Sequence, residues 1–235
     1  SFIFKNTWSI CVVVMTTHVK KPILSFDLDG TLMKPGFGDK VWLEGLPNIY
    51  AMTHNISFEE ARDQLLAAYN ALGNERREWY DLNYWITTLN LDINPDELLN
   101  TFSKHIMPYS EGPTLLNRLF KNYTLIVSSA AMKPFIYIEL KTAHLMDYFT
   151  ALFSATSDTK TVKKNPFFYQ MITQKMDCNP TEIIHVGDNK EFDYLSPKKA
   201  GLYAVYLDRS HNETGEEIIS SLTEFEEVLQ RYPYK

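Results

Sequence analysis

Two aspartates stand one residue apart at the end of an apolar run, in the stretch ILSFDLDGTL (residues 23–32). Asp and Gly after a strand commonly form a turn, and this is the simplest interpretation of the stretch. A calcium loop would need Gly at its sixth position and Glu at its twelfth. Counted from Asp27, those positions hold Leu32 and Gly38, so this interpretation is excluded. The remaining hypothesis is that Asp27 and Asp29 act together in a chemical step.

Further apolar runs follow along the chain in YTLIVS, YFTALFSA, EIIHVGD and LYAVYL, and polar residues follow several of them. Ser128 and Ser129 end YTLIVSSA, and Gly187 and Asp188 end EIIHVGD, with Asp193 a little over one helical turn later. Near-continuous apolar runs separated by helices are typical of a parallel sheet covered on both faces. In such sheets the ligand lies outside the carboxyl ends of the strands. The sequence therefore predicts a doubly wound α/β core with a site at that edge.

The segment between these runs has a different pattern. Residues 33–111 contain no strand-like run, whereas Ser57 begins a capping box and Asn94 precedes a helix that Pro95 opens. This pattern predicts an all-helical insertion of about four helices that can close over the site. The predicted units are an N-terminal extension or expression remnant (1–21), a core domain (22–32 and 112–235) and a helical cap domain (33–111).

Composition limits the class of partner. The chain has 235 residues, 45% of them apolar, and a formal net charge of -6. An acidic chain has no general basic surface for nucleic acid or for an anionic membrane, so neither is an expected partner. Cys11 and Cys178 form no disulfide framework and no zinc pattern, which favours a cytoplasmic location. We expect a small-molecule partner and a monomer or homodimer.

Taken together and in order, these stretches resemble the haloacid dehalogenase (HAD) superfamily of phosphatases, from Pro22 to about Tyr232. DLDGT matches the first motif of the family, and Ser128 matches its second. Gly187, Asp188 and Asp193 match the fourth. The insertion is similar to the helical cap of phosphoglycolate-phosphatase-like members.

The third motif of the family is a lysine before a helix headed by proline. Two lysines precede such a helix in VKKNPFFYQMI, and a pair of this kind is by itself usually solvated. The family spacing from lysine to Pro166 and Tyr169 favours Lys163. Lys164 stands where the family often has proline and is the alternative.

The resemblance implies a role for each residue. Asp27 would attack phosphorus, and Asp29 would protonate the leaving alkoxide and later deprotonate water. Asp27, Asp188 and the backbone carbonyl of Asp29 would hold Mg²⁺. The implied phosphate-binding residues are Gly30, Thr31, Ser128, Ser129 and Lys163, with Ser128 and Lys163 also catalytic and with Gly187 and Asp193 in support.

The predicted function is therefore a Mg²⁺-dependent phosphatase that acts on a small phosphate monoester through an aspartyl-phosphate. A phosphomutase or phosphotransferase would share that intermediate, and a non-catalytic phosphate-binding module would share the fold. Asp29 argues against a dehalogenase, because a halide leaves without a proton. In the insertion, aromatic and basic side chains could contact the leaving group, although aromatics at helical spacing more often form a core: Arg76, Arg77, Trp79, Tyr80, Tyr84 and Trp85.

Overall fold

The computed structural model describes residues 21–232. The predicted N-terminal extension, residues 1–21, lies outside this range except for Lys21. Within the described residues, no helix is both long enough and apolar enough to cross a bilayer.

A six-stranded parallel sheet with the order β3-β2-β1-β4-β5-β6 forms the centre of the molecule. Its strands are β1 (Ile23–Phe26), β2 (Thr124–Ser129), β3 (Ala151–Ser154), β4 (Ile183–Gly187), β5 (Tyr203–Leu207) and β6 (Ile218–Ile219). The first five are the predicted apolar runs, and the predicted doubly wound α/β fold is confirmed. β6 was not predicted, because a strand of two residues is too short to show a pattern.

The register of the central strands sets the position of the site. Phe26 pairs with Val127 on one side and with Val186 on the other. Asp27 therefore emerges from the sheet between Ser128 and Gly187. From β1 the chain adds β2 and β3 on one side of the sheet and then β4, β5 and β6 on the other. Open parallel sheets bind their ligands at such a switch point between the two directions.

Every regular element within residues 37–105 is a helix, in agreement with the predicted insertion. Its α-helices are α1 (Phe37–Lys40), α2 (Leu46–His54), α3 (Phe58–Leu72), α4 (Leu82–Thr88) and α5 (Pro95–Phe102), with a π-helical turn Val41–Gly45 between the first two. Both predicted N-cap residues cap their helices, but only the first half of the capping box predicted at Ser57 is present, while Glu60 Oε1 accepts from Gln64 Nε2. Ser57 Oγ accepts from Glu60 N, and Asn94 Oδ1 accepts from Asp96 N.

The two connections to this helical segment run side by side. Lys34 N donates to Met107 O at 2.8 Å, and Tyr109 N donates to Leu32 O at 2.9 Å. The segments that enter and leave the helical insertion are thus hydrogen-bonded to each other directly after the Asp27–Thr31 loop. The domain division at residues 33–111 stays a prediction.

The remaining helices flank the sheet. They are α6 (Glu111–Leu119), α7 (Lys133–Thr142), α8 (Pro166–Lys175), α9 (Ser196–Lys199) and α10 (Phe225–Leu229). Apolar side chains from the central strands are buried against them, among them Leu24, Phe26 and Val186, each with no exposed surface. The core therefore holds the carboxyl end of β1 rigidly beneath the helical segment.

Candidate active site

The loop after β1 holds the first predicted carboxylate in place. Asp27 is 4% exposed, its N–H donates to Val186 O at 2.9 Å, and its Oδ2 accepts from Thr31 Oγ1 at 2.9 Å. Gly30 has a φ of +82°, and a Cβ there would lie 2.0 Å from Asp188 Oδ2. Only glycine allows both this backbone conformation and this approach of Asp188.

The lysine in the site is Lys164, and this corrects the sequence prediction of Lys163. Lys164 is 3% exposed, and its Nζ contacts carboxylate oxygens of Asp27 and Asp193. Lys163 Nζ is exposed and pairs with Glu75 of the helical segment at 2.6 Å. Lys163 O accepts from Asn165 N at 2.9 Å, which closes a tight turn over residues 163–165. This turn directs the side chains of Lys163 and Lys164 to different sides.

Charges determine the ionisation of this buried ion pair. Burial alone would lower the pKa of Lys164, but Asp193 and Asp27 outweigh it and hold that pKa above its usual value. Burial would likewise raise the pKa of Asp193, yet Lys164 and His185 lower it to about 2. Lys164 is thus a permanent cation and Asp193 a permanent anion near neutral pH.

A row of buried polar side chains lies beneath the nucleophile candidate. Ser128 Oγ lies 2.7 Å from Ser25 Oγ, which lies 2.8 Å from His185 Nδ1, and His185 Nε2 lies 3.0 Å from Asp193 Oδ1. Because the carboxylate of Asp193 can only accept, His185 donates from Nε2. Ser128, Ser25 and His185 thus form one continuous hydrogen-bonded row that ends on Asp193.

The predicted phosphate-binding hydroxyl groups have partners within the protein in this structure, and their role toward a phosphate stays a prediction. Ser128 Oγ contacts Ser25 Oγ within the sheet, and Thr31 Oγ1 donates to Asp27 Oδ2. Ser129 accepts from Ala131 N at 3.0 Å. In this structure these three side chains therefore position the nucleophile and the loops around it.

Three carboxylates meet at the carboxyl edge of the sheet. One oxygen from each of Asp27, Asp188 and Asp193 lies within 4.8 Å of the others. Gly187 permits this approach, since a Cβ there would lie 2.4 Å from Asp193 Cγ. An all-oxygen, all-acidic set matches the ligand preference of Mg²⁺. The predicted pair Asp27 and Asp188 belongs to this set, as does Asp193, which was predicted as a supporting residue.

Desolvation by burial, together with the proximity of neighbouring acids, raises the pKa values of three aspartates. Burial, together with Asp193, raises the pKa of Asp27 even though Lys164 opposes the shift. Desolvation by burial and the negative charge of Asp27 raise the pKa of Asp29 to about 6. The same two causes raise the pKa of Asp188 to about 7. A cation bound among these groups would relieve their mutual repulsion.

Arg209, two residues after the end of β5, was not predicted as a residue of the site. Its guanidinium donates to Gly30 O at 2.9 Å, to Thr31 O at 2.8 Å and to Glu111 Oε1 at 2.8 Å. It also lies 3.5 Å from the ring centre of Tyr109. Arg209 therefore joins the catalytic loop to the exit from the helical segment.

The other missed residues left a weak sequence signal. Ser25 and His185 interrupt otherwise apolar strands, and the two residues pair directly across β1 and β4. A polar side chain in a buried strand needs a hydrogen-bonding partner. Two of them in matching positions could have indicated this buried row.

A cleft beside Asp29 separates the core from the helical segment. Trp79 and Tyr80 line it, as predicted for contact residues. Trp85 is 2% exposed and belongs to the helical core. The two arginines do not line the cleft; Arg76 pairs with Glu78, and Arg77 pairs with Asp81.

Comparisons with known proteins agree with this geometry. The family model of haloacid dehalogenase-like hydrolases matches residues 24–207. The pyrimidine 5'-nucleotidase YjjG of Escherichia coli (strain K12) is 24% identical over 151 residues, which are 60% of this chain and 67% of that protein.

Solved structures share the whole fold. A HAD phosphatase from Thermococcus onnurineus superimposes with a TM-score of 0.72 and 25% identity, covering 89% of this chain and 97% of the other. A 2-haloacid dehalogenase from Pseudomonas syringae pv. Tomato DC3000 superimposes with a TM-score of 0.63 and 20% identity, covering 91% of this chain and 100% of the other. The acidic edge of a parallel sheet, the buried lysine and the matched residues 24–207 lead to one conclusion. This chain belongs to the haloacid dehalogenase-like hydrolase family.

Proposed function

We propose that this protein is a Mg²⁺-dependent phosphatase that hydrolyses a small-molecule phosphate monoester through an aspartyl-phosphate on Asp27. The observation that carries the proposal is the pair of aspartates with different surroundings. Asp27 is buried against Lys164, whereas Asp29 lines the open cleft. These surroundings support Asp27 as the nucleophile and Asp29 as the acid for a leaving alcohol.

The reaction divides into two displacements. A carboxylate oxygen of Asp27 forms a bond to phosphorus while the ester P–O bond breaks, and Asp29 gives its proton to the leaving alkoxide. Asp29 then takes a proton from water as the water oxygen forms a bond to the same phosphorus and the bond between the Asp27 oxygen and phosphorus breaks. Inorganic phosphate leaves, and both carboxyl groups return to their initial states.

Lys164 and the carboxylate edge supply the electrostatics. Lys164 is already ionised and lies against Asp27, so it can offset negative charge on the phosphoryl oxygens without reorganisation. Mg²⁺ would be held by Asp27, Asp188 and the backbone carbonyl of Asp29. When bound, the ion supplies positive charge that offsets the repulsion between a carboxylate and a phosphate. Asp193 and Thr31 keep Lys164 and Asp27 in position.

The relatives support the phosphatase over the dehalogenase. The nucleotidase and the HAD phosphatase act on phosphate groups by name, whereas the dehalogenase shares the fold at 20% identity. Departure of a halide requires no acid, so the carboxyl of Asp29 in the cleft favours an alcohol leaving group. We also propose that the partner is a small phosphate ester in the cytoplasm.

Variants of the two aspartates test the proposal. Asp27→Asn should abolish hydrolysis of 4-nitrophenyl phosphate, because an amide is a poor nucleophile. Asp29→Asn should still release one equivalent of 4-nitrophenol in a burst, since this leaving group needs little protonation, and should then turn over slowly. Asp63→Asn, at an exposed aspartate of α3, is the matched control.

Removal of metal ions with a chelator provides a second test of the proposed function. Excess chelator should reduce turnover to background, and Mg²⁺ should restore it. Wild-type rates in Asp27→Asn would refute the nucleophile, and full activity in chelator would refute the metal site. Transfer of the phosphoryl group to an added alcohol instead of water would identify a phosphotransferase.

A further inference from the structure

The cleft beside Asp29 has a volume of about 500 Å³. We call it the leaving-group cleft, because an ester bound at Asp27 would place its alcohol there. Aromatic side chains form much of its wall: Trp42, Tyr69, Trp79, Tyr80 and Phe135. Trp42 packs parallel to Phe135 with ring centres 5.8 Å apart and lies 6.2 Å from Trp79. Such a wall suits an uncharged, flat group.

Acidic side chains line the cleft, and basic ones do not, in the described part of the chain. Asp29, Asp39 and Glu139 line it, whereas no lysine or arginine among residues 21–232 does so. A leaving group with a carboxylate or a second phosphate would therefore lose water in this cleft without gaining a cation as partner. The cleft thus selects against anionic alcohols such as glycolate.

Glu139 is the unusual member of this set. It belongs to α7, is 2% exposed, and its Oε2 has no hydrogen-bond partner among the described residues. Burial, with further contributions from Asp29 and Asp27, raises its pKa well above the usual value. An unpaired buried carboxyl destabilises a fold, so a residue of this kind needs a reason to persist.

We propose that Glu139 is a specificity-determining residue that accepts hydrogen bonds from the leaving group, and that this group is an uncharged nucleoside. A nucleoside offers O–H and N–H donors for Glu139 and a flat ring for the aromatic wall. The inference rests on the proposed phosphatase activity and names its substrate class as nucleoside monophosphates. The resemblance to a pyrimidine nucleotidase points the same way.

The test compares two esters in one enzyme. We take the ratio of kcat/KM for uridine 5'-monophosphate to kcat/KM for 4-nitrophenyl phosphate, which lacks sugar donors. In Glu139→Leu this ratio should fall about tenfold or more, because the donors lose their acceptor. Glu139→Gln keeps an acceptor of the same size and should retain most of the ratio. Lys141→Gln, at an exposed position of the same helix, is the matched control.

Two further measurements separate recognition from folding. Thermal unfolding should show a higher Tm for Glu139→Leu than for the wild type, because the substitution removes a buried unpaired carboxyl. Binding of uridine, followed by quenching of tryptophan fluorescence, should weaken about tenfold in the same variant. The binding assay does not depend on turnover.

The outcomes distinguish this inference from the proposed function. Failure to hydrolyse any ester would overturn the phosphatase, while the uridine measurement would still decide the role of Glu139. Hydrolysis with an unchanged ester ratio and unchanged uridine binding in Glu139→Leu would overturn the inference alone. A wild-type preference for phosphoglycolate over uridine 5'-monophosphate would also overturn it.

Discussion

Substitution of Lys164 by Met removes the ammonium group that lies between Asp27 and Asp193. Both carboxylates are at least 95% buried, so the variant leaves two neighbouring negative charges without their cation. Removing one partner of a buried ion pair costs about 3–5 kcal/mol of unfolding free energy. Loss of a preorganised charge at the phosphoryl group should in addition lower kcat roughly 100- to 1,000-fold.

Lys163 is the matched control, since it carries the same charge one residue earlier. Its ion pair with Glu75 has side chains that are 47% and 68% exposed. Exposed pairs of this kind contribute about 0–1 kcal/mol. Lys163→Met should therefore change the unfolding free energy little and leave the chemistry of a small aryl ester intact.

Urea unfolding and kcat/KM for 4-nitrophenyl phosphate measure the two effects. If Lys164→Met fails to fold, Lys164→Gln provides a hydrogen-bonding replacement that keeps part of the packing. Equal loss of activity in Lys163→Met and Lys164→Met would refute the assignment. Full activity in Lys164→Met would refute the role of this lysine altogether.

Three other perturbations test the support of the site. Gly30→Ala places a methyl group against Asp188 at a φ of +82°, so kcat should fall roughly 100-fold with the fold retained by circular dichroism; unchanged kcat would contradict the close approach. His185→Phe leaves Asp193 without one of its partners and should cost about 1–3 kcal/mol in urea unfolding, and a change below about 0.5 kcal/mol, the size of a surface effect, would contradict the buried row. Burial opposes the ionisation of Glu111, but Arg209 holds the pKa of Glu111 below the ordinary 4.5. The ion pair of Glu111 with Arg209 therefore stabilises the fold above that pH, and this stabilisation is lost as the pH falls. The Tm difference between wild type and Glu111→Gln should therefore shrink from about pH 6 to about pH 3, and a constant difference would show that the charge plays no part.

Local patterns in the sequence were sufficient for the fold. The runs that became β1 to β5 are nearly all apolar because both faces of a parallel sheet are covered, and this property is visible without any structure. Ser57 and Asn94 identify helix starts because capping is a contact within a few residues. The acidic edge of the sheet could be predicted from the aspartates that follow the strands, since parallel strands bring their carboxyl ends together.

Direction and partnership of side chains depended on the tertiary structure. Two adjacent lysines look alike in sequence, and only the turn before α8 decides that Lys164 enters the site while Lys163 faces Glu75. The contact of Arg209 with Gly30 joins residues 179 positions apart, a separation at which sequence patterns carry no signal. The acidic lining of the cleft likewise arises because α7 and the helical segment meet there. By itself the sequence determined the class of fold and the carboxylates of the site, which depend on local chemistry, whereas the active lysine, the buried row and the cleft were decided by long-range packing.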